Sequence, residues 1–238
     1  MELLEIIKCP KARSFCGKTK MTPKYFDAHT HLNMQFENDW QEVGKRAIDN
    51  DTWFVNVGAD EESSKLALEQ VKELGDGCWA TAGIHPTERV HRDFAVVAEL
   101  AKDKKIVAIG ECGLEYFRLE NETDKNRQKE LFKNHIELAL ELDKPLMIHC
   151  RDAYEDTLEI LKSYKDKVGD KLQFDMHFFA GDWALAQKFL DFGGHLSFTG
   201  VITFTDQYDE VIKKIPLGRI MAETDAPFAT PVPHRGQR

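Results

Sequence analysis

DKNRQKELFKNHIELALEL at residues 124–142 runs directly into DKPLMIHCRD at residues 143–152. In the first stretch Leu131, Phe132, His135, Leu138, Ala139 and Leu142 fall on one helical face. In the second, Pro145–Cys150 is an apolar run too short for a helix, and it ends among His149, Arg151 and Asp152. Helix, then strand, then ionisable groups at the strand's end is a unit that repeats in both directions. Candidate strands are Tyr25–Leu32, Thr52–Gly58, Cys78–Ile84, Ile106–Glu111, Pro145–Cys150, Leu172–Phe178, His195–Phe198 and Arg219–Glu223, with helix-like segments between them. Alternation of this kind implies parallel strands joined by right-handed crossovers. Eight strands predict a closed (β/α)8 TIM barrel, with an open doubly wound sheet as the alternative. The helix count is one short, because the eighth strand is followed only by the proline-rich Ala226–Arg238.

The chain has 238 residues, room for one barrel at roughly 150 residues per domain as a starting estimate. With 42% hydrophobic and 31% charged residues it can bury a core. No apolar run approaches the roughly 18 residues of a membrane span. The formal charge of −9 argues against nucleic-acid binding through a broad basic surface, though not against a local metal site that holds phosphates. Five cysteines without framework spacing suggest reduced thiols and an intracellular chain, expected in the cytoplasm with the nucleus as the alternative. Residues 1–24 carry a net +4, leaving −13 on residues 25–238. We read 1–24 as an extension of marginal order and 25–238 as the barrel. The run Leu3-Leu4-Glu5-Ile6-Ile7 is too short and too acidic for a signal peptide, and Cys9 and Cys16 read as free thiols.

Ionisable residues gather at the strand ends, which share one rim in a barrel. The first strand ends in Asp27-Ala28-His29-Thr30-His31, the third in His85-Pro86, the fourth in Glu111-Cys112, the fifth in His149-Cys150-Arg151-Asp152, the sixth in His177 and the eighth in Glu223-Thr224-Asp225. His29 and His31 are two apart, so both face the same side of a strand. Alone they read equally as metal ligands or as ordinary histidines. With Glu111, His149, His177 and Asp225 added, the set suits Zn, Mn or another borderline divalent ion, whereas Mg wants mostly oxygen ligands. Six ligands exceed the three or so of a single open catalytic site. They match two ions sharing a carboxylate, an arrangement that activates water for phosphodiester displacement.

His85 reads equally as a substrate contact or as helix-start packing, and Arg151 as a phosphate ligand or a solvated ion pair. Asp152 is expected to cap the helix that begins near Ala153. Cys112 and Cys150 sit beside proposed ligands but face the other way, so packing behind the barrel is expected. His135 reads as structural or surface, His91 shows no partner, and His195 begins its strand at the end away from the rim. Phe174, Phe178, Phe179, Phe192 and Phe198 read as core.

Phe26-Asp27-Ala28-His29-Thr30-His31-Leu32, Ala82-Gly83-Ile84-His85-Pro86, Ala108-Ile109-Gly110-Glu111-Cys112-Gly113-Leu114, Pro145–Ala153, Glu223-Thr224-Asp225-Ala226-Pro227-Phe228 and Pro231-Val232-Pro233-His234-Arg235-Gly236 stand in an order that resembles the TatD family of metal-dependent deoxyribonucleases. The resemblance covers roughly Tyr25 to Arg238. It implies a barrel with His29, His31 and Asp225 on one divalent ion, His149 and His177 on a second, and Glu111 bridging. It also implies that Asp225 orients or deprotonates the attacking water, with Asp225 and Glu111 as the catalytic pair. His85, Arg151, His234 and Arg235 would hold substrate phosphates, and the metals would be Zn, Mn or Mg. The implied substrate is DNA, single-stranded or at its ends, and the implied activity is exonucleolytic. Two departures stand out. His-Cys-Phe-Ser-Gly is expected around the sixth strand, where the chain reads His177-Phe178-Phe179-Ala180-Gly181. Gly-Leu-Asp-Tyr appears as Gly113-Leu114-Glu115-Tyr116. The family also continues past Arg-Gly into a final helix.

Two other readings stay open. One is a metal-dependent amide or ester hydrolase on the same barrel, since a scaffold does not fix the scissile bond. The other is an inactive truncated isoform whose uncovered barrel face supports self-association.

Overall fold

The computed structural model describes residues 22–34, 39–88 and 93–237. The chain alternates β1 (Tyr25–Thr30), α1 (Trp40–Asp49), β2 (Thr52–Asn56), α2 (Glu61–Leu74), β3 (Cys78–Ala82), α3 (Phe94–Leu100), β4 (Ile106–Glu115) and α4 (Glu122–Leu142). It continues through β5 (Leu146–Arg151), α5 (Tyr154–Val168), β6 (Phe174–Met176), α6 (Trp183–Asp191), β7 (His195–Phe198), α7 (Asp209–Lys214) and β8 (Ile220–Ala222). The strands pair in sequence order and all neighbouring pairs are parallel. β1 and the segment after β8 complete the ring. Thr30 bridges Ala226 in parallel, the Asp225 N–H donates to the His29 carbonyl at 2.9 Å, and the His31 N–H donates to the Ala226 carbonyl at 2.8 Å. The closed barrel is therefore the architecture, and the doubly wound alternative falls away.

Local chemistry explains the elements. β4 is buried along its whole length, as a parallel strand covered on both faces must be. α4 buries Phe132, His135, Leu138 and Ala139 of the expected face, and Leu131 and Leu142 pack at its margin. Asp60 and Ser63 form a capping box at the start of α2, while Asn121 and Asp182 cap α4 and α6. Asp152 does not cap α5. It adopts a left-handed conformation at φ 54°, and Ala153 occupies the cap position without a side-chain bond.

The main core lies between strands and helices and contains Phe174, Phe179 and Phe198, with Phe192 packed against it. A second, smaller cluster joins Val55, Val57, Val107 and Met147 to Phe26 and Trp79. Met147 lies two residues before His149 on β5, so this cluster forms the apolar floor beneath the rim. Among the described residues no helix follows β8. An apolar groove of about 610 Å³ runs along the β1–β8 seam, lined by Phe26, Ala28, Phe198, Ile202, Ile220 and Ala222. Most of the expected extension, with Cys9 and Cys16, lies outside the described residues, as does His91. No helix among the described residues is long and apolar enough to cross a membrane.

Candidate metal centre

The strands deliver their polar ends to one cavity of about 690 Å³ whose lining includes His31, His85, Glu111, His149, His177 and Asp225. Glu111 stands at its centre. Its Oε1 faces His149 Nδ1 at 3.0 Å, His85 Nε2 at 3.5 Å and His177 Nε2 at 3.9 Å. Its Oε2 faces His29 Nε2 at 3.6 Å and His31 Nε2 at 3.8 Å. One carboxylate thus addresses two sets of imidazoles with different oxygens. Asp225 Oδ1 adds a second carboxylate, 3.6 Å from His29 Nε2 and 3.4 Å from His31 Nε2.

Hydrogen bonds behind the rings set their orientation. His31 Nδ1 lies 3.1 Å from the Val57 carbonyl, which can only accept, so Nδ1 carries the hydrogen and the Nε2 lone pair points into the cavity. His177 Nδ1 lies 3.0 Å from Glu223 in the same way. His149 has Glu111 against one nitrogen and Glu115 Oε2 against the other at 3.2 Å. His29 Nε2 sits 3.0 Å from His31 Nε2, and its Nδ1 is buried with no hydrogen-bond partner.

Electrostatics suit cation binding at His29 and Glu111, while His177 must first give up a proton. Burial, then the neighbouring His177, holds His29 well below the usual imidazole range, so it stays neutral as a ligand must. Burial works to raise Glu111, but His85, His149 and His177 outweigh it and hold the carboxyl well below its usual range. Burial works to lower His177, but Glu223 and then Glu111 push it up to about 10. Three overlapping groups here bring ligand atoms close enough to hold an ion: His29 with His177 and Asp225, His29 with His31 and Glu111, and His85 with Glu111 and His149. His29 Nε2 and His31 Nε2, both facing Glu111 Oε2 and Asp225 Oδ1, give mixed nitrogen and oxygen donors that fit divalent cations of the Zn or Mn type.

All six residues expected as ligands meet here. His85, expected at the substrate, stands among them, with its ring 4.4 Å from that of His149 and its Nδ1 2.6 Å from Thr87 Oγ1. Arg151 lines the cavity, with its guanidinium 4.0 Å from the centre of the Phe117 ring. His234 and Arg235 are not brought to the cavity. Both are exposed on the tail, and Arg235 lies 3.8 Å over the Phe204 ring. Cys112 turns away as expected, whereas Cys150 lines the cavity even though its Sγ approaches α5. Cys112 Sγ approaches the carbonyls of Ile109 and Met147, and Cys150 Sγ lies 3.2 Å from Thr157 Oγ1 of α5.

Sequence reading missed the supporting residues. Glu115 continues the β4 face of Glu111 at intervals of two, a signal hidden by ending the strand at Glu111. Glu223 precedes Asp225 by the same interval. Phe178, read as core, lines the cavity. α4 also fixes the loops around the site. His135 Nε2 accepts the Ile84 N–H at 3.0 Å, and Arg127 donates to the Pro86 carbonyl at 2.7 Å. Gln128 both accepts from the Glu115 N–H at 2.8 Å and donates to its carbonyl at 3.1 Å.

Residues 26–238 match the model of a family described as TatD related DNase. The chain is 39% identical over 220 residues to the uncharacterized metal-dependent hydrolase YabD of Bacillus subtilis (strain 168), covering 90% of this chain and 84% of that one. It is 32% identical over 213 residues to the 3'-5' ssDNA/RNA exonuclease TatD of Klebsiella pneumoniae (strain 342), covering 87% and 79%. Its fold is similar to the crystal structure of YjjV, a TatD homolog from Escherichia coli K12, at a TM-score of 0.77 and 25% identity, covering 91% of this chain and 85% of that one. With this match across the barrel, the chain belongs to the TatD family of metal-dependent hydrolases.

Proposed function

We propose that the chain is a deoxyribonuclease that hydrolyses phosphodiester bonds at DNA ends, acting on single strands with a pair of divalent ions, Zn, Mn or Mg. His29, His31 and Asp225 would hold one ion and His149 and His177 the other, with Glu111 between them. The observation that carries this reading is Glu111 itself, whose two oxygens face separate sets of imidazoles. A relative named as an ssDNA/RNA exonuclease supports the choice of bond.

When bound, the ions would acidify a water and offset charge on the phosphodiester oxygens. The chain's own residues do the rest. Asp225, beside His29 and His31, orients the attacking water and takes its proton. Glu111 stays ionised, since the surrounding imidazoles hold it well below the carboxylate range. Arg151 on the cavity wall binds a non-bridging phosphate oxygen. Together with the ions, Arg151 would supply local positive charge despite a chain charge of −9.

The test is digestion of end-labelled single-stranded DNA by purified protein supplied with Mn, Mg or Zn, beside a panel of amide and ester substrates. His149→Ala and Glu111→Ala should each abolish cleavage. Full activity in both variants refutes the site. Turnover confined to amides or esters refutes the phosphodiester assignment and leaves the metal centre standing.

A further inference from the structure

We infer that Phe178 and Phe228 form an aromatic clamp for the nucleobase beside the scissile phosphate, an inference that rests on the phosphodiesterase reading. Both side chains line the cavity. The Phe228 ring centre lies 6.0 Å from that of His31, and the Phe178 ring centre lies 5.9 Å from that of His177. His31 faces one oxygen of Glu111 and His177 the other. The two rings therefore rise beside imidazoles that serve different sides of the central carboxylate.

Neither ring is explained by packing. Phe228 is 43% exposed, although a large apolar side chain gains by leaving water. Phe178 adopts φ 49°, a left-handed conformation that is costly for a bulky residue. Its N–H donates to Glu223 Oε1 at 2.8 Å, so the turn is held by the same carboxylate that orients His177. The adjacent Phe179 takes the core position, which leaves Phe178 at the cavity. Phenylalanine supplies no ligand atom and no proton. It supplies a π-face, which every nucleobase can stack upon regardless of sequence. A base reaches such a clamp only after leaving its pairing partner, so the clamp selects unpaired ends.

The experiment compares kcat/KM on two single-stranded oligonucleotides, one with a normal terminal nucleotide and one abasic at that position. The wild type should favour the base-bearing end by about tenfold. Phe178→Ala and Phe228→Ala should each bring that ratio toward one, and Phe→Tyr at either site should restore it. Phe178→Leu and Phe228→Leu keep apolar bulk without a π-face and should behave like the alanine variants, which covers the case in which alanine prevents folding. A wild-type ratio of one, or a ratio unchanged in the variants, overturns the clamp while leaving the nuclease reading intact. A wild type that cleaves no phosphodiester with any of the three metals overturns both.

Discussion

His177 Nδ1 lies 3.0 Å from each carboxylate oxygen of Glu223, and that carboxylate also accepts the Ser197 hydroxyl at 2.7 Å and the Phe178 N–H at 2.8 Å. All three of these groups donate to Glu223, so the glutamate fixes the imidazole with Nε2 turned to the cavity. Glu223→Gln should weaken divalent-ion affinity by about 10–100-fold, measured by competition against a chelator. His177 is poised up to about 10, since Glu223 and Glu111 outweigh burial. An incoming cation therefore displaces a proton, and affinity should climb as pH rises toward that value. Unchanged affinity in the variant would remove Glu223 from the account.

Gly113 offers a steric test of the same assembly. Its φ is +130°, and an added Cβ would lie 2.0 Å from the His149 carbonyl oxygen. Gly113→Ala should destabilise the fold by at least about 1–3 kcal/mol and lower bound metal, read by denaturant unfolding and elemental analysis. Gly218→Ala meets nothing within 4 Å and should be nearly neutral by both measures.

His135 sets an acid limit on stability. It is fully buried, its Nδ1 donates to the Leu131 carbonyl, and its Nε2 accepts from the Ile84 N–H. Burial depresses it to about 4. An unfolded histidine titrates near 6.5, so the unfolded chain takes up this proton first. The contribution is complete above about pH 6.5 and is lost as pH falls toward 4, on the order of 3 kcal/mol in all. His135→Gln should flatten the decline in unfolding free energy between those limits. Parallel pH profiles for wild type and variant would contradict this.

Chelation should lower the melting temperature. A ligand at 100 times its dissociation constant adds about 2.7 kcal/mol to the folded state. The shift should depend on free metal concentration and shrink in a His29→Ala, Asp225→Ala double variant, which keeps His149, His177 and Glu111 for the second ion.

The sequence made the barrel legible because alternating periods are a property of the chain, and His195–Phe198 matches β7 residue for residue. The ligands were legible because strands impose a common rim. What stayed hidden depends on single backbone angles and on contacts far apart in sequence. Phe178 and Phe179 are indistinguishable by composition, and a left-handed φ at one of them decides which enters the core. β4 runs four residues beyond Glu111 because Gly113 lets it pass close to β5, so Glu115 reaches His149. Asp152 resembles a cap in sequence, yet its left-handed backbone carries it out of position. Arg235 pairs with Phe204, a neighbour that no local pattern announces.

The ring closes through main-chain bonds from Asp225 to His29 and from His31 to Ala226, and the side chains of those same three ionisable residues form one flank of the cavity. Docking the last strand therefore also sets the place of these three side chains at the cavity. A cation held by these side chains would act as a rivet across the seam, which Thr224 also ties to Asp27 of β1 at 2.8 and 2.6 Å. Loosening that seam would disturb the site and the architecture together, because the same residues serve both.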